Sequence, residues 1–242
     1  MTGSRTPRGA ARTWRRWALA PGLVAAVLAL GLAFGWFVVV PTARPALRPG
    51  EGYGIDVSNH QGPVDWRAVA ADGVSYAYLK ATEGRTFVDP YLAANWAGAR
   101  DAGIRRGAYH FFSLCSLGAD QAAAFLRTAP PDPTALAPAL DLEILDGCAD
   151  RPPAAAVQVE LDAFTERVER AWGRPLLVYA RGSWTGTYPV PSGPPRPRWR
   201  TSFFVRPHGE WSVWQVHYAA RVDGVRGRVD LDVVRPERLL VP

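Results

Sequence analysis

From Tyr53 to the C-terminus the chain alternates short β-prone runs with longer runs of helical periodicity, and this rhythm narrows its fold more than any other feature. Parallel neighbours cannot be joined by a tight turn, so the alternation calls for parallel strands linked by crossover helices. Strands are expected at 53–57, 76–81, 106–112, 137–143 and 176–180. Between them lie a helix carrying Trp66, Val69 and Ala70, with Asp65 placed to cap it, and helices at 91–102, 117–128 and 154–172. The last has Val157, Leu161, Phe164, Val168 and Trp172 on one stripe. After Ala180 the rhythm changes: 188–197 holds five prolines and reads as loop, and strands at 202–205, 211–216 and 229–234 follow without room for full helices. Eight strands, five of them followed by a helix or long crossover, imply an α/β fold of the modified TIM-like barrel type, five β/α units plus three further strands. An open doubly wound sheet fits less well, because its Gly-rich nucleotide-binding turn is missing.

With 242 residues the chain can hold one substantial core. Its formal charge of +6 does not mark that core as a polyanion binder. Seven arginines and no acid precede Glu51, which leaves 51–242 at −1 and sets nucleic acid aside as a partner. The arginines lead into an apolar stretch, 17–40, free of charged side chains and broken only by Pro21 and Gly22. At about 1.5 Å per residue a helix of that length crosses a hydrocarbon core of about 30 Å, and the basic flank orients the N-terminus to the cytoplasm. The expected organisation is a basic cytoplasmic N-terminus at 1–16, a transmembrane signal anchor at 17–40, a linker at 41–52 and an extracytoplasmic domain at 53–242. The alternative is a cleaved signal peptide and a secreted domain. Its apolar region should be about 7 to 15 residues long and end in an Ala-x-Ala-like site, and no convincing one stands near Pro41. Either topology places Cys115 and Cys148 where they can pair; each lies in a loop, five residues beyond His110 and Glu143 respectively. Zinc is disfavoured, since no further Cys or close His completes a ligand set.

The chemistry concentrates in acids embedded in apolar strands. Asp141-Leu142-Glu143 ends a strand, and alternation puts both carboxylates on one face with Cα atoms about 6.5 to 7 Å apart. At that separation one charge raises the other group's pKa, the arrangement a general acid at a glycosidic oxygen needs. Asp56 lies within the first strand, and Asp230, with Asp232 two residues on, lies within the last. First and last strands of a closed barrel are neighbours, so Asp56 and Asp230 would share a mouth with Asp141 and Glu143. Four carboxylates could equally bind a divalent cation. Aromatic side chains near strand ends, Tyr78, Tyr109, Phe111, Tyr179, Trp184, Trp214 and Tyr218, favour sugar instead, with Phe111 read as core. A metal-dependent deacetylase would group histidines with an acid, and His60, His110, His208 and His217 form no ligand pair.

Taken in order, Gly54-Ile55-Asp56-Val57-Ser58 with Gln61-Gly62, Leu79-Lys80-Ala81-Thr82-Glu83-Gly84, Gly107-Ala108-Tyr109-His110-Phe111, Leu140-Asp141-Leu142-Glu143, Trp214-Gln215 and Val229-Asp230-Leu231-Asp232 resemble glycoside hydrolase family 25, the Chalaropsis-type lysozymes or N-acetylmuramidases. The resemblance runs from about Tyr53 to the C-terminus. It implies the five-plus-three barrel and hydrolysis of the β-1,4 bond between N-acetylmuramic acid and N-acetylglucosamine in peptidoglycan. It assigns Glu143 as the acid and Asp141 as its partner, with Asp56 and Asp230 as further active-site carboxylates. Tyr78, Lys80, Tyr109, Tyr179, Trp214 and Gln215 are expected to bind substrate. Lys80, the only lysine, fits equally well in a structural ion pair with a nearby acid. Neither cofactor nor metal is implied, and a monomer is expected. A catalytically inactive, membrane-anchored glycan-binding module is the rival reading; it need not keep all the acids. One stretch departs from the family pattern: where an aromatic-apolar strand should precede Trp214-Gln215, the chain has Thr201-Ser202-Phe203-Phe204-Val205-Arg206-Pro207 after its proline-rich run.

Overall fold

The computed structural model describes residues 10–144 and 151–240, with the backbone alone over 10–20. The chain forms two compact units, Met1–Ala43 and Arg44–Pro242. In the first, helix α1 (Ala10–Phe34) runs on through Pro21 and is continued by a π-helical turn, Gly35–Val39, and a 3-10 turn, Val40–Thr42. The 22 residues of Pro21–Thr42 make the one helix among the described residues that is long and apolar enough to cross a membrane.

The second unit is a closed barrel. Its strands are β1 (Gly52–Val57), β2 (Val74–Glu83), β4 (Arg105–Phe111), β5 (Ala139–Leu142), β6 (Leu177–Ala180), β7 (Arg198–Thr201), β8 (Val213–Ala220) and β9 (Val229–Val234). They pair in that order and β9 returns to β1, while the short β3 (Phe87–Val88) folds back on β2. Apart from β3, the strands from β1 to β8 run parallel, and β9 is antiparallel to both its neighbours. Helices α2 (Trp66–Ala71), α3 (Leu92–Asp101), α4 (Gly118–Thr128), α5 (Ala154–Trp172) and α6 (Gly182–Thr185) fill the crossovers, giving the expected five strand-helix units and three further strands.

Alternation along each strand sorts side chains into two layers. Ile55, Leu79, Ala108, Leu140 and Leu142 point outward and pack with Phe125, Leu161, Phe164 and Val168 of α4 and α5. Tyr78, Ala139, Leu177, Trp199, Val213 and Val234 form a second buried cluster. Gly107 makes room there, since a Cβ at that position would lie 2.4 Å from the Tyr78 ring. Asp65 caps α2 as expected, accepting from the backbone N–H groups of Arg67 at 3.1 Å and Ala68 at 3.2 Å.

Two expectations change. The seventh strand is Arg198–Thr201, four residues earlier than 202–205, and it begins directly after the prolines. Trp199 points inward and is buried, while Arg198 and Arg200 are exposed on the outer face. The other change concerns the expected linker, whose residues from Arg44 onward are fastened to the barrel. Arg44 pairs with Asp72 at 2.5 Å, the Tyr53 hydroxyl donates to Pro45 O, and Arg206 donates to Ala46 O. Cys148 lies outside the described residues, so its expected pairing with Cys115 is not addressed by this geometry.

Candidate active site

The C-terminal ends of the parallel strands surround a cleft of about 540 Å³. Asp56 of β1, Asp141 of β5, Glu143 just beyond β5 and Asp230 of β9 all line it, so the structure assembles the four acids expected to meet. Asp56 and Asp230 are direct partners across the β1–β9 pair. Asp232 is buried, with its Oδ1 accepting from Trp199 Nε1 at 3.1 Å.

Burial and mutual repulsion act together on these groups. Burial, then the charges of Asp230, Asp232, Asp141 and Glu143, push Asp56 well above the usual carboxylate range. Asp141 is likewise pushed well up, by burial first and the Glu143 charge second, with Lys80 and Arg181 opposing. Burial raises Asp230 to about 6 against the hydrogen bond from Gln215. Asp56 Oδ2 and Asp141 Oδ1 are buried without a hydrogen-bond partner, which favours the neutral acids. Glu143 differs: its Oε2 accepts from Arg181 Nη1 at 2.9 Å.

A polar chain braces the carboxylates on the β6–β9 side. Gln215 Nε2 donates to Asp230 Oδ1 at 2.7 Å, and the Gln215 carbonyl accepts from Tyr179 OH at 3.0 Å and Thr201 Oγ1 at 2.9 Å. Across the cleft Lys80 holds Glu83 at 2.5 Å and lies over Phe111, 5.1 Å from the ring centroid. Lys80 therefore makes the structural ion pair and also lines the cleft. Burial, followed by the charges of Asp56, Asp141 and Asp230, raises the Tyr109 phenol well above its usual range. Among the described residues no group of three or more His, Cys, Asp or Glu is arranged to hold a metal ion.

Of the residues expected to bind substrate, Lys80, Tyr109, Tyr179 and Gln215 line the cleft; Tyr78 and Trp214 do not. Tyr78 faces inward one pleat below Lys80, buried, with its hydroxyl donating to Ala137 O at 3.0 Å. Trp214 cannot share the inner face with its neighbour Gln215. It packs outside, donating to Ser202 O at 2.8 Å. Trp184 is also fully buried, whereas Phe111, expected in the core, is half-buried on the cleft wall. Arg181, Trp199, Thr201 and Phe203 also line the cleft without having been singled out for it.

A family model described as glycosyl hydrolases family 25 matches residues 55–225, spanning the barrel from β1 almost to β9. The chain belongs to glycosyl hydrolases family 25. It is 34% identical over 192 residues to Lysozyme M1 of Streptomyces globisporus, covering 73% of this chain and 65% of that protein. It is 32% identical over 190 residues to the uncharacterized protein YegX of Escherichia coli K12, covering 75% of this chain and 68% of that one. The solved structure of a family 25 glycosyl hydrolase from Bacillus anthracis superimposes with a TM-score of 0.70 at 31% identity, covering 78% of this chain and 91% of that one. As a family 25 member the chain is a glycoside hydrolase.

Proposed function

We propose that the barrel hydrolyses the β-1,4 bond between N-acetylmuramic acid and N-acetylglucosamine in peptidoglycan, with Glu143 as proton donor and Asp141 as its partner. The observation that carries this reading is the Asp141–Glu143 pair on one cleft wall, with Asp141 driven toward its neutral form by burial and by Glu143. Such a pair brings a proton to the reaction. Substrate entering the cleft parts Arg181 from Glu143; the proton held on Asp141 passes to Glu143, which gives it to the leaving-group oxygen as the glycosidic bond breaks. Asp141, then charged, stabilises the positive charge developing on the sugar, or an N-acetyl group acting as internal nucleophile; water then adds at the anomeric carbon and gives up a proton that restores the acid pair. Asp56 and Asp230 shape the field beneath the sugar, while Tyr109, Tyr179, Lys80 and Gln215 position it. The similarity to a lysozyme and to N,O-diacetylmuramidases supports peptidoglycan as the substrate.

The reading extends to location. The apolar stretch 17–40, which overlaps the apolar helix Pro21–Thr42, serves as a signal anchor with the arginine-rich N-terminus in the cytoplasm and the barrel outside. The test is digestion of purified peptidoglycan by the detergent-solubilised full chain, followed by identification of the new reducing ends. Muramic acid ends support the proposal; glucosamine ends or no release overturn it.

A further inference from the structure

Among the described residues lining the cleft, the Lys and Arg side chains are Lys80 and Arg181, and they differ in availability. Lys80 is buried and held by Glu83. Arg181 has its side chain 58% exposed, and only its Nη1 is engaged, donating to Glu143 Oε2 at 2.9 Å. Its Nε and Nη2 have no partner among the described residues. These two donors form the planar side-on edge of the guanidinium, the geometry that matches a carboxylate in two parallel N–H···O bonds.

The backbone beneath this guanidinium is fixed. Arg181 N donates to Leu142 O at 3.1 Å and Arg181 O accepts from Thr185 N at 3.0 Å, so one residue beyond the Leu142–Ala180 register pair Arg181 and Glu143 stand side by side while the guanidinium can turn. An ion pair this open to water is worth little, and a second carboxylate can draw the cation from Glu143 at small cost. The muramic acid sugar of the reaction proposed above carries such a group. Its 3-O-lactyl substituent ends in a carboxylate or, where a peptide stem is attached, in an amide followed by the stem's own carboxylate. An anion entering a cleft lined by acids needs a cation to meet it.

We infer that Arg181 is a specificity residue that pairs with the carboxylate on the 3-O-substituent of muramic acid, and that by turning from Glu143 to do so it releases the general acid when an anionic substrate binds. This rests on the glycan-cleaving reading above. Having lost its counter-charge, Glu143 takes the proton held on Asp141, so recognition and acid catalysis are coupled through one side chain. A sugar without the anionic substituent, such as N-acetylglucosamine, leaves the Arg181–Glu143 pair closed.

The test measures kcat/KM of the detergent-solubilised full chain on three tetrasaccharides of alternating N-acetylglucosamine and N-acetylmuramic acid. One has free lactyl carboxylates, one has lactyl amides, and one has alanine joined to each lactyl group, which moves the carboxylate outward. Wild type should favour a carboxylate-bearing form over the amide by about tenfold: the free lactyl form if the ion pair is made there, the alanyl form if it is made on the stem. Arg181→Gln should bring the three within about twofold of one another, and Arg181→Lys, which keeps the charge without the fork, should retain part of the preference. No preference in wild type, or a preference that survives Arg181→Gln, overturns the proposal; so does a shifted pH profile in Arg181→Gln with discrimination intact, which would make Arg181 a positioning residue for Glu143. If wild type cleaves none of the three, the functional reading fails on its own. Calorimetry with the same compounds then decides the ion pair: binding of a charged form about tenfold tighter than the amide, levelled in Arg181→Gln, supports it, and equal or undetectable binding overturns it.

Discussion

Asp56 on β1 and Asp230 on β9 face each other as register partners across an antiparallel pair, so two carboxylates share one patch of buried barrel interior. Neither Oδ2 of Asp56 nor Oδ1 of Asp141 has a hydrogen-bond partner to offset burial. The fold therefore carries this site as a cost to stability, and its neighbours, such as Gln215 on Asp230, offset only part of it.

That cost gives the first prediction. Asp230 titrates at about 6 in the native state against 3.8 ordinarily, so the native state binds the proton more tightly than the unfolded chain. Its contribution favours folding below about pH 4 and is lost as pH rises through 6, by about 3 kcal/mol at most. Asp230→Asn keeps the acceptor for Gln215 and removes the charge. Thermal unfolding should show the variant more stable at pH 7 by about 1–3 kcal/mol and level with wild type near pH 4, while peptidoglycan cleavage falls. Equal stability at pH 7 would contradict the electrostatic account.

His110 works in the opposite direction. It is fully buried on the outer face of β4, stacked on Phe164 at 4.7 Å, and burial lowers it from 6.5 to about 4. Gln121 Oε1 accepts from His110 Nε2 at 3.0 Å and from Ser113 N, so Nε2 carries the hydrogen and Nδ1 accepts from Thr82 Oγ1 at 2.7 Å. A neutral buried His loses stability as pH falls from 6.5 toward 4, because the unfolded chain gains the proton first; the loss amounts to about 3 kcal/mol. Removing this titration with His110→Gln should lower stability at pH 7 but flatten its fall between pH 6.5 and 4. A slope matching wild type would assign the acid sensitivity elsewhere.

At the reacting centre Glu143 is paired with Arg181 and lines the open cleft, so substitution there disturbs little packing. Glu143→Gln should unfold at the wild-type temperature within a few degrees and lose activity by about 10²–10⁴-fold, the range for removing a general acid. Turnover near wild type would transfer the acid role to Asp141.

The elements written most plainly in the sequence are those whose pattern is local. β9 falls at Val229–Val234 and α5 at Ala154–Trp172, as expected, because strict alternation and a continuous apolar stripe each encode a single answer. β7 was hidden because no helix covers its outer face. Arg198 and Arg200 can stay exposed around Trp199, so the strand lacks the apolar character that drew attention to 202–205. Of the carboxylates, Asp56, Asp141, Glu143 and Asp230 were legible from their setting in apolar strands. Arg181 was not, since its meeting with Glu143 depends on the β5–β6 register, where Leu142 pairs with Ala180. Trp214 and Gln215 were expected together at the mouth, although adjacent strand residues must face opposite ways.

The last prediction concerns the opposite end of β1, where Glu51 is 2% exposed and accepts from Arg206 at 2.6 Å, Arg235 at 3.2 Å and the Arg48 N–H at 2.9 Å. Both arginines lie against aromatic rings, Arg235 over Trp211 at 3.6 Å and Arg206 over Trp214 at 5.1 Å, so neither can readily turn to water. Burial alone would raise Glu51; the Arg48 N–H and then Arg206 and Arg235 bring it below 4.5. Glu51→Gln would leave two cations packed in the fold without a counter-charge, at about 3 kcal/mol, the low end of the range for a broken buried pair because both arginines are partly exposed. A group depressed in the native state stabilises above its unfolded value and loses that contribution as pH falls through the folded one. Denaturant unfolding should therefore separate the variant from wild type at pH 7 and narrow the gap as pH falls below the usual carboxylate range. A variant as stable as wild type at pH 7 would mean that the two arginines find other partners and that the Glu51 pairs contribute nothing to the fold.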